Sequence, residues 1–196
     1  MLRISGGSAR GKRLAGPKGL AFRPTTGRIR EYIFFILREE VPNSRFLDLF
    51  AGTGSLGIEA FSSGAAKGVF VESSGTARDL LRRNLETCGF SAQASIIPDD
   101  VFSALKTIGK RGETFDFVFA DPPFKAAFQN RIVSAVADAG VLRRGGCIVL
   151  EHDRRDLEDG TNPQMILSRR KRFGDCTVSF YVQGAIHEDR GVSGDI

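Results

Sequence analysis

The stretch best equipped for chemistry is Asp121-Pro122-Pro123-Phe124, which follows directly on the apolar run 115–120. An aromatic amine is a poor nucleophile because its lone pair is delocalised into the ring. The Asp121 carboxylate and the Pro122 carbonyl can together accept both hydrogens of such an amine. Held toward pyramidal geometry, it regains a lone pair for in-line attack on an electrophilic methyl, and Asp121 is placed to take the released proton. The two prolines fix the backbone direction and remove two N–H donors. Phe124 offers a face on which a base can stack. A base that reacts here must first leave its helical stack. The bland alternative is a proline-rich turn carrying a surface Phe.

A second group of residues fits the donor of that methyl. The run 46–50 has strand length and breaks into Gly52-Thr53-Gly54, after which Leu56, Ile58, Ala60 and Phe61 take helical spacing. Strand, glycine turn and helix form the opening unit of a nucleotide-binding α/β domain. The pattern Gly52-x-Gly54-x-x-Gly57 would suit a dinucleotide, but Asp48 lies within the strand and suits a ligand amine better than a pyrophosphate. S-adenosylmethionine has that amine and no phosphate. Glu72 follows Gly52 at about the spacing expected of an acid that accepts from ribose hydroxyls. Asp99 or Asp100, after the third strand, could accept from an adenine amino group, although each could equally cap a helix.

These residues need a scaffold that delivers them to one place. From Ser44 onward, strands at 46–50, 68–72, 94–97, 115–120 and 146–151 alternate with helices at 56–63, 76–88, 101–108 and 129–139, the pattern of a parallel sheet covered on both faces. The segments 165–173 and 177–183 read as a closing antiparallel hairpin around Gly174-Asp175. Ligands of open α/β sheets lie beyond the carboxyl ends of the strands. Each of the first four strands brings an acid to that edge. Before this core, 2–6 and 12–14 read as short strands joined by a glycine-rich loop. Thr25 or Thr26 caps a helix whose Ile29, Ile33, Phe34 and Leu37 share one face. The expectation is a single domain over 1–184, with a basic arm at 1–24, a Rossmann-like core at 44–184 and a mobile tail at 185–196.

The chain has 196 residues, 41% hydrophobic and 26% charged. That is enough for one α/β domain plus a small extension. No apolar run approaches a membrane span, so no membrane partner is expected. Cys88, Cys147 and Cys176 have no metal-like spacing and only His152 and His187 accompany them, so no metal is expected. The three thiols read as small buried residues of a cytoplasmic protein. The net charge of +5 is unevenly placed. Arg3, Arg10, Lys12, Arg13, Lys18, Arg23, Arg28 and Arg30 occupy the first thirty residues without one acid. Arg169-Arg170-Lys171-Arg172 forms a second cluster. Segregated positive charge is the footprint of a polyanion binder; the plainer reading is a solvated basic face.

Asp121-Pro122-Pro123-Phe124 is a variant of the [Asn/Asp]-Pro-Pro-[Tyr/Phe] motif of enzymes that methylate adenine N6 or guanine N2. The chain also resembles the RsmD family, methyltransferases acting on a guanine N2 of small-subunit (16S) ribosomal RNA. The matching stretches are Arg3-Ile4-Ser5-Gly6-Gly7 with Arg10-Gly11-Lys12, Arg23-Pro24-Thr25 with Arg30-Glu31, the run from Leu47 to Ala60, and Asn84-Leu85. The resemblance implies a class I methyltransferase fold with a seven-stranded sheet of order 3-2-1-4-5-7-6, strand 7 antiparallel. It implies S-adenosyl-L-methionine held by Asp48, Phe50, Ala51, Gly52, Thr53, Gly54, Glu72, Asp100 and Thr25, with Asp121, Pro122 and Phe124 at the reacting amine. It further implies ribosomal RNA or the small subunit as partner, met by Arg3, Arg10, Lys12, Arg13, Arg23 and Arg30. One departure is Phe35, where the family usually has a polar residue. The competing readings are a DNA adenine-N6 methyltransferase, for which 196 residues leave no recognition domain, and a non-catalytic assembly factor that kept the fold.

Overall fold

Thr26 opens the first helix: its hydroxyl accepts the Ile29 N–H, which settles the choice of cap. In the computed structural model the described residues are 2–16, 26–123, 128–155 and 162–184. Thr25, Arg23, Phe124 and the tail 185–196 therefore lie outside them. The helix α1 (Gly27–Ile36) is followed by β1 (Arg45–Leu49), α2 (Ser55–Ser62), β2 (Lys67–Val71), α3 (Gly75–Cys88), β3 (Ala94–Ile97), α4 (Val101–Lys110), β4 (Phe115–Ala120), α5 (Phe128–Asp138), β5 (Leu142–Asp153), β6 (Met165–Phe173) and β7 (Cys176–Gln183). The sheet order is β3-β2-β1-β4-β5-β7-β6, as expected. β1 to β5 run parallel and β7 runs antiparallel to both of its neighbours.

β5 begins at Leu142, earlier than its sequence suggests. The sequence places its start at Gly146, yet the strand already includes residues 142–145. Phe115 pairs with Leu142 and Phe117 with Cys147, so the extra residues of β5 form a bulge. Gly145 has φ +75°, a left-handed value that glycine adopts without strain.

Alternation along the strands divides the core into two layers. On one face Phe46, Phe70, Phe117, Phe119, Val149 and Phe180 pack with α1, α2, α3 and the arm residues Ile4, Ala9 and Leu14. On the other, Leu47, Leu49, Val118, Ile148 and Tyr181 pack with α4 and α5. The Phe46 ring lies edge-on to Phe61 and Phe70. A Cβ at Gly57 would overlap the Phe70 and Phe46 rings, and one at Gly68 would overlap Phe46. Gly57, the third glycine of the motif, thus serves the seating of α2 on the sheet rather than any ligand.

The arm lies on the helical layer. Arg3 and Arg13 form an antiparallel bridge, and Ile4, Gly11 and Leu14 complete a hairpin-like set of backbone bonds. Its docking is polar. The Glu59 carboxylate accepts the backbone N–H groups of Ser5 and Gly6 and faces Arg30 Nε at 3.3 Å. Arg30 also donates to the Arg3 carbonyl. Ser62 Oγ donates to the Gly6 carbonyl and accepts from the Ala9 N–H. This corrects the expectation that Arg30 meets RNA: it is 1% exposed and its guanidinium is used inside the protein. Lys12, though exposed, donates through Nζ to the carbonyls of Thr87 and Cys88 at the carboxyl end of α3, where the helix dipole favours a cation. It too anchors the arm. Arg3, Arg10 and Arg13 keep exposed side chains.

Phe35, the departure from the family pattern, is 62% exposed on α1, with the Arg38 guanidinium over its ring. It takes no part in the core.

Candidate active site

β1 lies between β2 and β4, and one register fixes the site. Leu49 pairs with Val71 on one side and with Ala120 on the other, while Val71 pairs with Ile97. The next residues, Phe50, Glu72 and Asp121, therefore leave the same carboxyl edge. Glu72 and Asp121 flank the β1 loop, two strand spacings or roughly 10 Å apart at the backbone. Val71 and Ala120, the residues just before them, belong to the α4–α5 layer. By alternation Glu72 and Asp121 belong to the face that carries α1 and α2. Both carboxylates thus leave one edge of the sheet on the same face.

The loop between Glu72 and Asp121 is held in an unusual backbone. Phe50 has φ +59°, and Gly52 and Gly54 follow with +55° and +80°. Non-glycine residues rarely adopt such a value, and the strain persists only where the surroundings enforce it. The Ala51 N–H donates to the Val71 carbonyl at 3.1 Å, and the Gly54 N–H to the Ala51 carbonyl at 2.7 Å. Glu72 Oε2 accepts the Gly52 N–H and Oε1 the Ser74 N–H, both at 2.8 Å. An ionised carboxylate has about four acceptor directions. Two remain after these bonds, and Glu72 is half-buried beside an open loop. A vicinal diol fits that position. Thr53 is tied from behind: its carbonyl accepts from Asn84 Nδ2 at 2.9 Å.

Asp48 does not face a ligand amine here. It is 2% exposed, and its Oδ2 accepts the Gly57 N–H at 3.0 Å. Its job is to brace the start of α2 against β1. Burial pushes its carboxyl from 3.8 up to about 7, opposed by the Gly57 N–H and reinforced by the negative charge of Glu72, since a buried charge without a counter-ion is disfavoured. Asp100 caps α4, with Oδ1 accepting from Phe102 and Ser103, while its neighbour Asp99 accepts from the Asp100 N–H and the Ser103 hydroxyl. Asp100 is exposed at the carboxyl edge and Asp99 is half-buried there. Asp121 is half-buried, Pro122 buried and Pro123 exposed.

Two residues that the chemistry of the sequence did not single out prove central. Asn84 is 1% exposed and makes three bonds: Oδ1 accepts the Ala15 N–H, and Nδ2 donates to the carbonyls of Ala15 and Thr53. One side chain thereby joins the arm to the glycine loop. Glu59 is the lone acid in the apolar run of α2, a signal of a buried partner rather than of a solvated face. The basic cluster at 169–172 lies on the edge strand β6, and β6 runs parallel to β5, so Lys171 and Arg172 approach the same carboxyl edge.

The model of a family described as Conserved hypothetical protein 95 matches residues 2–182. The Escherichia coli (strain K12) protein named Ribosomal RNA small subunit methyltransferase D is 30% identical over 184 residues, 94% of this chain and 91% of that protein. The solved structure of the Escherichia coli protein yhhF superposes with a TM-score of 0.83 at 29% identity, covering 94% of this chain and 98% of that one. An RNA methyltransferase from Salinibacter ruber, solved in complex with S-adenosyl-L-homocysteine, shares the fold with a TM-score of 0.64 at 19% identity, over 85% of this chain and 97% of its own.

Proposed function

The chain belongs to the RsmD family of methyltransferases, and on that premise we propose that it methylates the exocyclic N2 amine of a guanine in small-subunit ribosomal RNA. The observation that carries this reading is the placement of Glu72 and Asp121 at one edge, on either side of the Phe50–Gly54 loop. S-adenosyl-L-methionine supplies an electrophilic methyl on a sulfonium. Glu72 would hold its ribose hydroxyls with the two acceptor directions left after Gly52 and Ser74. The open backbone of Ala51, Gly52 and Thr53 lets the donor lie close, and Asp99 or Asp100 accepts at the adenine end. Asp48 keeps the loop in place from below.

On the other side of the loop, Asp121 and the Pro122 carbonyl accept the hydrogens of the target amine and aim its lone pair. Asp121 takes the proton released as the N–C bond forms. Phe124 is the proposed platform for the flipped base. Arg3, Arg10 and Arg13, exposed on the docked arm, meet RNA phosphates, with Arg23 beyond them in sequence. The cytoplasm is the expected compartment.

Purified protein, unmodified small subunits and labelled donor test the reading. N2-methylguanosine should appear on nucleoside mass spectrometry. Asp121→Ala should lower transfer at least about 100-fold while donor affinity by calorimetry stays within about threefold. Absence of N2-methylguanosine with folded protein, or N6-methyladenine formed in DNA instead, refutes it.

A further inference from the structure

A cavity of about 400 Å³ opens on the face that carries α1, lined in part by Glu151 of β5, the strand next to the one that leads into Asp121. Its lining includes Arg28, Glu151, Lys171, Arg172, Phe173 and Cys176. The register explains why it sits there. β4 and β5 end their ladder with Ala120 opposite Leu150. Asp121 and Glu151 therefore emerge side by side, one strand spacing or about 5 Å apart at the backbone. Alternation puts both on the layer of Phe119 and Val149. Val178 pairs with Glu151 on one side and with Lys171 on the other, so the acid and the base share one level across the sheet.

The cavity is divided by chemistry. Ile29, Phe173 and Cys176 give it apolar walls, Glu151 is 6% exposed within it, and Arg28, Lys171 and Arg172 are exposed at its rim. Its size falls within the roughly 300–1,000 Å³ of small-molecule sites. An ionised carboxylate only accepts hydrogen bonds. On the Watson–Crick edge of guanine, the neighbour of the 2-amino group is N1–H, a donor. Adenine presents an unprotonated N1 there, which a carboxylate repels.

We propose that Glu151 reads the identity of the target base, accepting the N1–H of a flipped-out guanine whose 2-amino group lies at Asp121, while Arg28, Lys171 and Arg172 receive the flanking phosphates. This rests on the guanine-N2 reading above and adds a residue that selects guanine.

The test uses 2-aminopurine, which keeps the 2-amino group but has no proton on N1. Small subunits are reconstituted with guanine or 2-aminopurine at the methylated position, once that position is mapped. The wild-type protein should prefer guanine by roughly 100-fold or more in kcat/KM, because a site built for a donor is left with an unpaired acceptor. Glu151→Gln can donate to N1 and should narrow that preference at least tenfold. Glu151→Asp should retain the preference at a lower rate. Thermal midpoints of both variants, measured alongside, identify any loss of fold. An equal loss on both substrates in Glu151→Gln overturns the proposal, as does a wild-type protein indifferent to N1. If the wild type methylates no guanine, the parent reading fails and the proposal falls with it. That result is distinct from active protein with an unaltered preference.

Discussion

Asp48→Asn should stabilise the protein at pH 8 and do little at pH 5. The carboxyl is 2% exposed and titrates at about 7 rather than 3.8, chiefly because burial disfavours its charge. Between those values the folded chain keeps the proton while the unfolded chain releases it. The contribution of this group is therefore intact below about pH 4, falls as pH rises to about 7, and is constant above that. Each tenfold difference in proton affinity is worth about 1.4 kcal/mol, so the full loss is on the order of 4 kcal/mol. Asparagine keeps an acceptor for the Gly57 N–H but introduces an amide NH2 that costs about 1–3 kcal/mol if it finds no partner. The net gain at pH 8 is then about 1–3 kcal/mol, a rise of a few to ten degrees in Tm for a chain of this length. The amide cost cancels when two pH values are compared, leaving a difference of about 2–3 kcal/mol between pH 8 and pH 5. Urea denaturation of both proteins at the two pH values measures it. A variant destabilised equally at both would mean that Asp48 is ionised throughout and that its charge supports the fold, which would refute the reasoning.

Breaking the buried pair of the arm should cost more. Arg30→Met leaves Glu59 charged beneath Ser5 and Gly6, a loss of about 3–5 kcal/mol, and limited proteolysis should cut the arm before the core; an arm as resistant as wild type contradicts the assignment. Asn84→Ala removes the bonds to Ala15 and Thr53 together, so hydrogen exchange should accelerate in the arm and in the glycine loop in one variant. Acceleration at only one end would deny that they share a tie.

Strand adjacency is not a local property, and the sheet order was implied only by the family resemblance. Nearly every element was legible because hydrophobic period and glycine punctuation are local signals. The bulge of β5 was not, since Gly145-Gly146 has the composition of a turn and only the neighbouring strand carries the ladder through it. Glu72, Asp121 and the glycine loop could be placed at one edge because strand ends are ordered by topology. Asp48 and Arg30 could not be placed correctly: charge type in a sequence suggests a ligand or solvent, whereas burial depends on partners far along the chain. For Arg30 that partner is Glu59, and for Asp48 it is a backbone N–H with no signature in sequence at all. Asn84 escaped for the same reason, as its two partners, Thr53 and Ala15, lie 31 and 69 positions away.

The docking of the arm also sets an order of events during synthesis. Ser5 and Gly6 must wait for Glu59, Ala9 for Ser62, Lys12 for Thr87 and Ala15 for Asn84. The arm thus finds no complete seat until α3 has emerged far behind it. Until then Arg30 and the other cations of this segment stay solvated, next to the most abundant polyanion in their surroundings. Docking of the arm is a late closing step, completed only when the helix that also steadies Thr53 is in place.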